Sequence, residues 1–241
     1  MPILAIDAGN TRVKWGLWED RGFIAQGAIL TANAAQLADA LHMLARPQRS
    51  IACSVASAQV RGHIEQALAA WGGGPEWIVS RREQCGVVSR YALPEQLGAD
   101  RWAALIGARM RDAGACVVVN AGTAVTIDAL TPGGEFLGGL ILPGLELMAA
   151  ALANRTAGLP LMAGEFEPFP TSTANAVFSG ALQGACGAIE RIERGLIALG
   201  HSEPQIVVSG GSGDLLAARL GRPVTLVSNL VLEGLVAIAR T

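Results

Sequence analysis

Near the N-terminus, two short apolar runs, 3–6 (ILAI) and 13–18 (VKWGLW), flank a polar turn of Asp, Gly, Asn and Thr, and a third run follows at 23–30. Runs of Val, Ile, Leu and Trp bounded by turn formers predict strands. The period then changes. Leu37, Leu41 and Leu44 recur at helical spacing in 36–45, which Pro47 closes. A strand at 51–55, an amphipathic helix at 58–71 stopped by Gly72-Gly73-Gly74, a strand at 77–80 and a helix at 102–110 complete the first half. The second half repeats the order. Strands are predicted at 117–120, 124–129 and 136–141, and Pro132-Gly133-Gly134 marks the turn before the last of them. Helices follow at 146–154 and 174–199, then a buried strand at 205–209, a helix after Gly210-Gly211, a strand at 224–227 and a last helix from Leu230. One series met twice predicts an internal duplication. The expected molecule is α/β, with two lobes at 1–112 and 113–241.

The duplication reaches the turns. ILAIDAGNTRVKWG in the first half is matched by VVVNAGTAVTID in the second, with Asp7 before one turn and Asn120 before the other. A turn of Gly and Thr between two strands offers backbone N–H groups and a hydroxyl to a phosphate. One such turn in each lobe suits a polyphosphate gripped from both sides; a lone Ala-Gly-Thr would read equally well as an ordinary hairpin.

Composition narrows the class. Of 241 residues, 51% are hydrophobic and only 5% aromatic, which suits aliphatic strands under Ala-rich helices. A formal charge of −2 gives no general electrostatic reason to bind nucleic acid or an anionic membrane, and Arg81-Arg82 is too short a basic run to change that. No apolar run reaches the ~20 residues of a membrane helix. The opening MPILAID lacks the basic and apolar regions of a signal peptide, so a cytoplasmic protein is expected. Cys53, Cys85, Cys116 and Cys186 form no CxxC pair and read as thiols of a reducing compartment. His42, His63 and His201 share no metal-ligand spacing and are expected to face solvent.

Several blocks together resemble one family. The DxGNTxxK stretch (Asp7, Gly9, Asn10, Thr11, Lys14) is similar to the first phosphate motif of the acetate and sugar kinase, heat-shock protein 70 and actin superfamily, in the version found in type III pantothenate kinases. YALPEQLGADRWAALIGA, from Tyr91 to Ala108, resembles that family's most distinctive block, with its GxDR core at Gly98, Asp100 and Arg101. NAGTAVTID resembles its second phosphate motif, and GGLILPGLELMAAAL, TAGLP and TANAVFSG resemble its remaining blocks in the expected order.

The resemblance implies a duplicated ribonuclease-H-like (actin-like ATPase) fold of two lobes with mixed sheets. It also implies a homodimer and transfer of the ATP γ-phosphate to the primary hydroxyl of pantothenate. ATP would be bound by Asp7, Ala8, Gly9, Asn10, Thr11, Arg12, Val13 and Lys14 with Gly122 and Thr123; pantothenate by Tyr91, Gly98, Ala99, Asp100, Arg101 and Thr173. Asp7 suits Mg²⁺, which takes one or two carboxylates and keeps its waters; it could equally cap its own turn. Lys14 either neutralises a phosphate or faces solvent. Asp100 is implied as the general base, though a carboxylate at a helix N-terminus is common on other grounds. Arg101 offers a rigid fork of donors for the acid or the phosphoryl group. In the family the equivalent of Thr173 reaches across the dimer, while from the sequence alone Thr173 is a good N-cap. Gly210-Gly211 resembles the superfamily's adenosine turn. Asn120 departs from the family's Asp, which helps hold a monovalent cation, K⁺ or NH₄⁺; the amide removes that charge, and Asp128 is a candidate to compensate. The alternatives are a kinase of another small alcohol, since phosphate motifs fix the donor and not the acceptor, and a non-catalytic regulator. A regulator would be expected to lose residues that are present here, among them Asp7, Thr11, Asp100 and Thr123.

Overall fold

The computed structural model describes residues 1–111, 114–155 and 164–241. Two compact units divide the chain, one of residues 1–112 with 229–241 and the other of residues 113–228.

In the first unit, β1 (Ile3–Ala8), β2 (Arg12–Glu19) and β3 (Gly22–Leu30) form an antiparallel meander. β4 (Arg49–Ser54) pairs parallel with β1, and β5 (Glu76–Trp77) parallel with β4, giving the order β3-β2-β1-β4-β5. β1 is a central strand, and Ile3 to Ile6 are buried without alternation, as a strand covered on both faces requires. β3 lies at the edge and alternates between half-buried and exposed positions. α1 (Leu37–Leu41) and α2 (Ala58–Leu68) cover one face, α2 through Val60, Ile64 and Leu68, one every four residues. A hairpin of β6 (Glu83–Gln84) and β7 (Val87–Ser89) then leads to α3 (Ala99–Arg111).

In the second unit, β8 (Cys116–Ala121), β9 (Ala124–Leu130) and β10 (Glu135–Pro143) repeat the meander. After α4 (Leu145–Arg155) and α5 (Thr173–Ala198), β11 (Gln205–Ser209) pairs parallel with β8. α6 (Gly213–Ala217) precedes β12 (Thr225–Leu226), which pairs parallel with β11. The order β10-β9-β8-β11-β12 reproduces the first unit strand for strand and sense for sense. Leu182, Ala185 and Ile189 of α5 pack on Val117, Val119 and Ile127 of the sheet. This two-lobed α/β architecture with mixed sheets is the expected fold class.

Four expectations need correction. The last helix, α7 (Leu230–Ala239), follows the second lobe in sequence but belongs to the first unit. It crosses α3 so closely that a Cβ at Gly234 would collide with the Ala103 carbonyl. Arg111 on α3 also reaches Glu233 at 2.6 Å. The helix expected over 36–45 is a 3₁₀ turn (Thr31–Gln36) followed by one helical turn, α1. Leu37 and Leu41 are buried there and Leu44 packs on the same core, but its amide donates to the Leu41 carbonyl at 2.9 Å, a tight turn that ends the helix. The strand expected over 77–80 ends at Trp77, because Val79 turns outward and Ser80 Oγ donates to the Leu97 carbonyl at 2.8 Å. Finally, no element is expected over 83–89, where the β6–β7 hairpin stands. It turns on Cys85 and Gly86 at φ 49° and 75°, and a cysteine at positive φ gives no turn signal.

Candidate active site

The turn between β1 and β2 spans residues 9–12, after Ala8 pairs with Val13 and Asp7 with Lys14. The Gly9 amide donates to the Arg12 carbonyl at 3.0 Å and closes it. Thr31, the first residue past β3, latches it twice. Its amide donates to the Thr11 carbonyl at 2.9 Å and its hydroxyl to the Gly9 carbonyl at 2.8 Å. Asn10, Thr11 and Arg12 lie exposed at the tip, open to a ligand. Ala8 and Val13 have fully buried side chains, so only their backbone is available to one.

Asp7 sits where this turn leaves the sheet. On the parallel side it is beside Cys53, whose Sγ donates to Asp7 Oδ1 at 3.4 Å. The carboxyl keeps some exposure, yet the protein packed around it removes most of its hydration. Burial first, and then the negative charge of Asp100, push the Asp7 pKa up to about 6; Lys14 and the Cys53 hydrogen bond oppose the rise. Lys14 is half-buried and acts on Asp7, so it is not merely a solvent-facing residue. Burial also drives the Cys53 thiol well above its ordinary range, with the charges of Asp7 and Asp100 adding to the effect. Cys53 is therefore a neutral thiol.

Asp100 is the second residue of α3. Its Oδ1 accepts the Arg101 amide at 2.8 Å, at the positive end of the helix. Burial raises its pKa, against the pull of that N–H and of the Arg101 guanidinium. Gly98 makes this approach possible, since a Cβ there would lie 2.6 Å from Asp100 Oδ1. Ala99, between them, opens the helix. Arg101 is only 4% exposed, and its Nη1 donates to the Tyr91 hydroxyl at 3.2 Å. Tyr91 is held in turn by its own amide on Ser89 Oγ at 3.3 Å, and the Arg82 guanidinium pins the same loop through the Ser89 and Ala92 carbonyls. Asp7, Lys14, Cys53, Asp100, Arg101 and Tyr91 thus form a linked set within the first unit.

The second unit carries the other turn. Gly122 donates to the Ala124 carbonyl at 3.0 Å, and the Gly144 amide to the Thr123 carbonyl at 2.8 Å. Gly122 and Thr123 are exposed. Asn120 stands opposite Thr126 and beside Ser209, both neutral. Asp128 is 1% exposed and pairs with Val118, on the face of β9 shared with Thr126. Gly210, at φ 100°, follows β11; a Cβ there would fall 2.5 Å from the Ala121 carbonyl, so only glycine lets the backbone lie against the turn. At the start of α5, the N-cap is Ser172, whose Oγ accepts the Asn175 amide, rather than Thr173; Thr173 is the exposed first residue of the helix. The TAGLP block, 156–160, and the lobe boundary at 112–113 lie outside the described residues.

Sequence reasoning missed Thr31, Cys53, Arg82 and Ser89. None lies in a motif; the only signals lay in the repeat, where Thr31 corresponds to Gly144 after the third strand and Cys53 to Ser209 on the fourth.

Among the described residues no group of three or more His, Cys, Asp or Glu is arranged to hold a metal. A pair of crowded, part-buried carboxylates instead suits a hard cation that arrives with phosphate and keeps waters. No helix of the described residues is long and apolar enough to cross a membrane.

Comparison with known structures agrees with the fold. A Campylobacter jejuni protein described as a Baf family transcriptional activator superposes with a TM-score of 0.63 at 20% identity, over 98% of this chain and 97% of that one. The activator of 2-hydroxyisocaproyl-CoA dehydratase from Clostridium difficile, with bound ADPNP, gives 0.55 at 12% identity, over 99% and 93%. In sequence the likeness is closer. Type III pantothenate kinases from Nitrosospira multiformis and Aromatoleum aromaticum are each 46% identical, over 99% of this chain and 91% and 98% of theirs. A family model for type III pantothenate kinase matches residues 3–194, which include both turns and the Tyr91-to-Arg101 block. On these grounds the chain belongs to the type III pantothenate kinase family.

Proposed function

We propose that the chain transfers the γ-phosphoryl group of ATP to the primary hydroxyl of pantothenate, yielding 4′-phosphopantothenate and ADP, the opening step of coenzyme A biosynthesis. The observation that carries this reading is the linked set of Asp7, Asp100, Arg101 and Tyr91 in one unit of a chain of this family.

Phosphoryl transfer needs positioning, charge neutralisation and a proton acceptor more than covalent chemistry. The pantothenate hydroxyl oxygen attacks the γ-phosphorus while the bond to the β–γ bridging oxygen breaks and ADP leaves. Asp100 takes the hydroxyl proton. Burial raises its basicity, which favours that role, while the helix N–H keeps one carboxylate oxygen fixed. Arg101, buried and paired with Tyr91, presents a rigid fork of donors toward the acceptor or the transferring group. Gly98 and Ala99 hold this corner, and Thr173 contributes from the start of α5, across a homodimer. Thr11 and Thr123, with the exposed amides of their turns, bind phosphate oxygens, and Asn10, Arg12 and Lys14 add donors or charge.

Mg²⁺ bound with ATP would neutralise phosphate charge, and Asp7 is the residue to hold it, directly or through water. The monovalent-cation position is different. Asn120 and its register partners Thr126 and Ser209 are neutral, so a K⁺ or NH₄⁺ ion near Asn120 has oxygen dipoles but no carboxylate among them. We expect a correspondingly loose requirement for it.

A coupled assay of ADP release, with and without pantothenate, tests the reading. Release that requires pantothenate supports it; release with another alcohol only, or no release at all, would remove it.

A further inference from the structure

β4 reads Arg-Ser-Ile-Ala-Cys-Ser, and its parallel pairing with β1 sets Cys53 beside Asp7. Ile51, Ala52 and Cys53 are all fully buried, so an apolar side chain at 53 would satisfy the core equally well. A thiol stands there instead. It is free of any disulfide, and its Sγ lies 3.4 Å from Asp7 Oδ1. An ionised carboxylate only accepts, so the S–H donates.

The second unit supplies an independent observation. There β11 pairs with β8 in the same parallel register, and Ser209 stands beside Asn120 as Cys53 stands beside Asp7. Ser209 is also buried. Both copies of the duplicated sheet thus set a small side chain with a single donor hydrogen next to the residue that precedes the turn.

We propose that Cys53 is a positioning residue for the Asp7 carboxylate, an inference that rests on the kinase reading above. Its thiol holds Oδ1, restricts rotation of the carboxyl group and leaves Oδ2 as the oxygen for Mg²⁺. Cys53 touches neither nucleotide nor acceptor; it acts through Asp7. Partners that orient a metal-ligating carboxylate commonly matter to metal affinity by an order of magnitude or more.

The test uses the full chain, a non-hydrolysable ATP analogue and Mn²⁺ as the probe for Mg²⁺, with bound Mn²⁺ counted by electron paramagnetic resonance. Cys53→Ala is expected to weaken Mn²⁺ binding by about tenfold. The Mg²⁺ concentration for half-maximal activity should rise in parallel, while the KM for pantothenate stays at the wild-type value. Cys53→Ser, which keeps a donor hydrogen, should restore Mn²⁺ affinity to within about threefold of the wild type. Cys53→Val fills the space without a donor and should behave as Cys53→Ala does, and it replaces that variant if the alanine protein does not fold. Wild-type Mn²⁺ affinity in a folded Ala or Val variant would overturn the proposal, as would a Ser variant no better than Ala. A wild type that binds Mn²⁺ with the analogue but releases no ADP from ATP on adding pantothenate would sink the kinase reading alone, leaving the Cys53 comparison to be decided by binding.

Discussion

In the first unit, the turn after β1 is closed by the Gly9 amide on the Arg12 carbonyl, and in the second the Gly122 amide meets the Ala124 carbonyl. The residue just past the third strand then latches each turn through the same bond, Thr31 to Thr11 in one and Gly144 to Thr123 in the other. The frame is common; its contents differ. The first unit places a carboxylate, Asp7, before the turn and a thiol beside it, whereas the second places an amide, Asn120, beside a hydroxyl. The first also brings up a second carboxylate, Asp100, whose charge adds to the burial that raises the Asp7 pKa to about 6. Strand register and these backbone bonds alone therefore make the turn. What distinguishes the first turn is charge concentrated where water has been displaced. Such concentration is unfavourable in the free chain and is relieved by a cation.

Removing the charge should separate stability from activity. Asp7→Asn is expected to lower turnover by about a hundredfold or more, because it deletes the carboxylate proposed to hold Mg²⁺. Yet the free protein should become more stable. A carboxyl whose folded pKa is about 6, above its ordinary 3.8, binds its proton more tightly in the native state, so the native state loses stability as pH rises through that interval. The substitution should raise Tm well above that range and change it little below it, as calorimetry across pH would show. An unchanged Tm at high pH would mean that Asp7 carries no penalty in the free chain.

The converse change adds the missing charge to the second turn. Asn120→Asp should lower the K⁺ concentration needed for half-maximal activity by about tenfold, in line with a charged ligand replacing a neutral dipole. Activity titrated with K⁺ reads this directly. If the two proteins respond to K⁺ alike, Asn120 is not near the cation.

The latches offer the smallest test. Thr31→Val keeps the amide bond to Thr11 and removes only the hydroxyl bond to Gly9, so it makes the first latch resemble that of Gly144. A loss of about 1 kcal/mol, typical of one such hydrogen bond, corresponds to a KM for ATP raised by about fivefold with pantothenate unaffected. A rise in the pantothenate KM instead would show that Thr31 serves the acceptor.

Much of this comparison was legible in the chain. Ala-Gly followed by Thr, met twice between apolar runs, gave both turns and their strands, because turn chemistry and period are local properties. The order of the β8–β9–β10 meander and the strand at 205–209 followed for the same reason. What pairs across distance was not legible. Cys53 is 46 residues from Asp7 and only the parallel register of β4 brings them together. Helix α7 follows the second lobe in sequence and yet packs on α3 through Gly107 and Gly234, a close approach that glycine permits but does not announce. Tyr91, Asp100 and Arg101 were singled out by resemblance; that Arg101 is buried and links the other two needed the fold.

The most direct measurement compares wild type with Asp100→Asn by ³¹P NMR, in the presence of ATP, Mg²⁺ and pantothenate, alongside binding of an ATP analogue to each protein. The account predicts a new phosphomonoester signal with ADP for the wild type. For the variant it predicts a rate lower by a factor of about a hundred or more, with analogue affinity retained. Undiminished phosphoryl transfer by Asp100→Asn would contradict it.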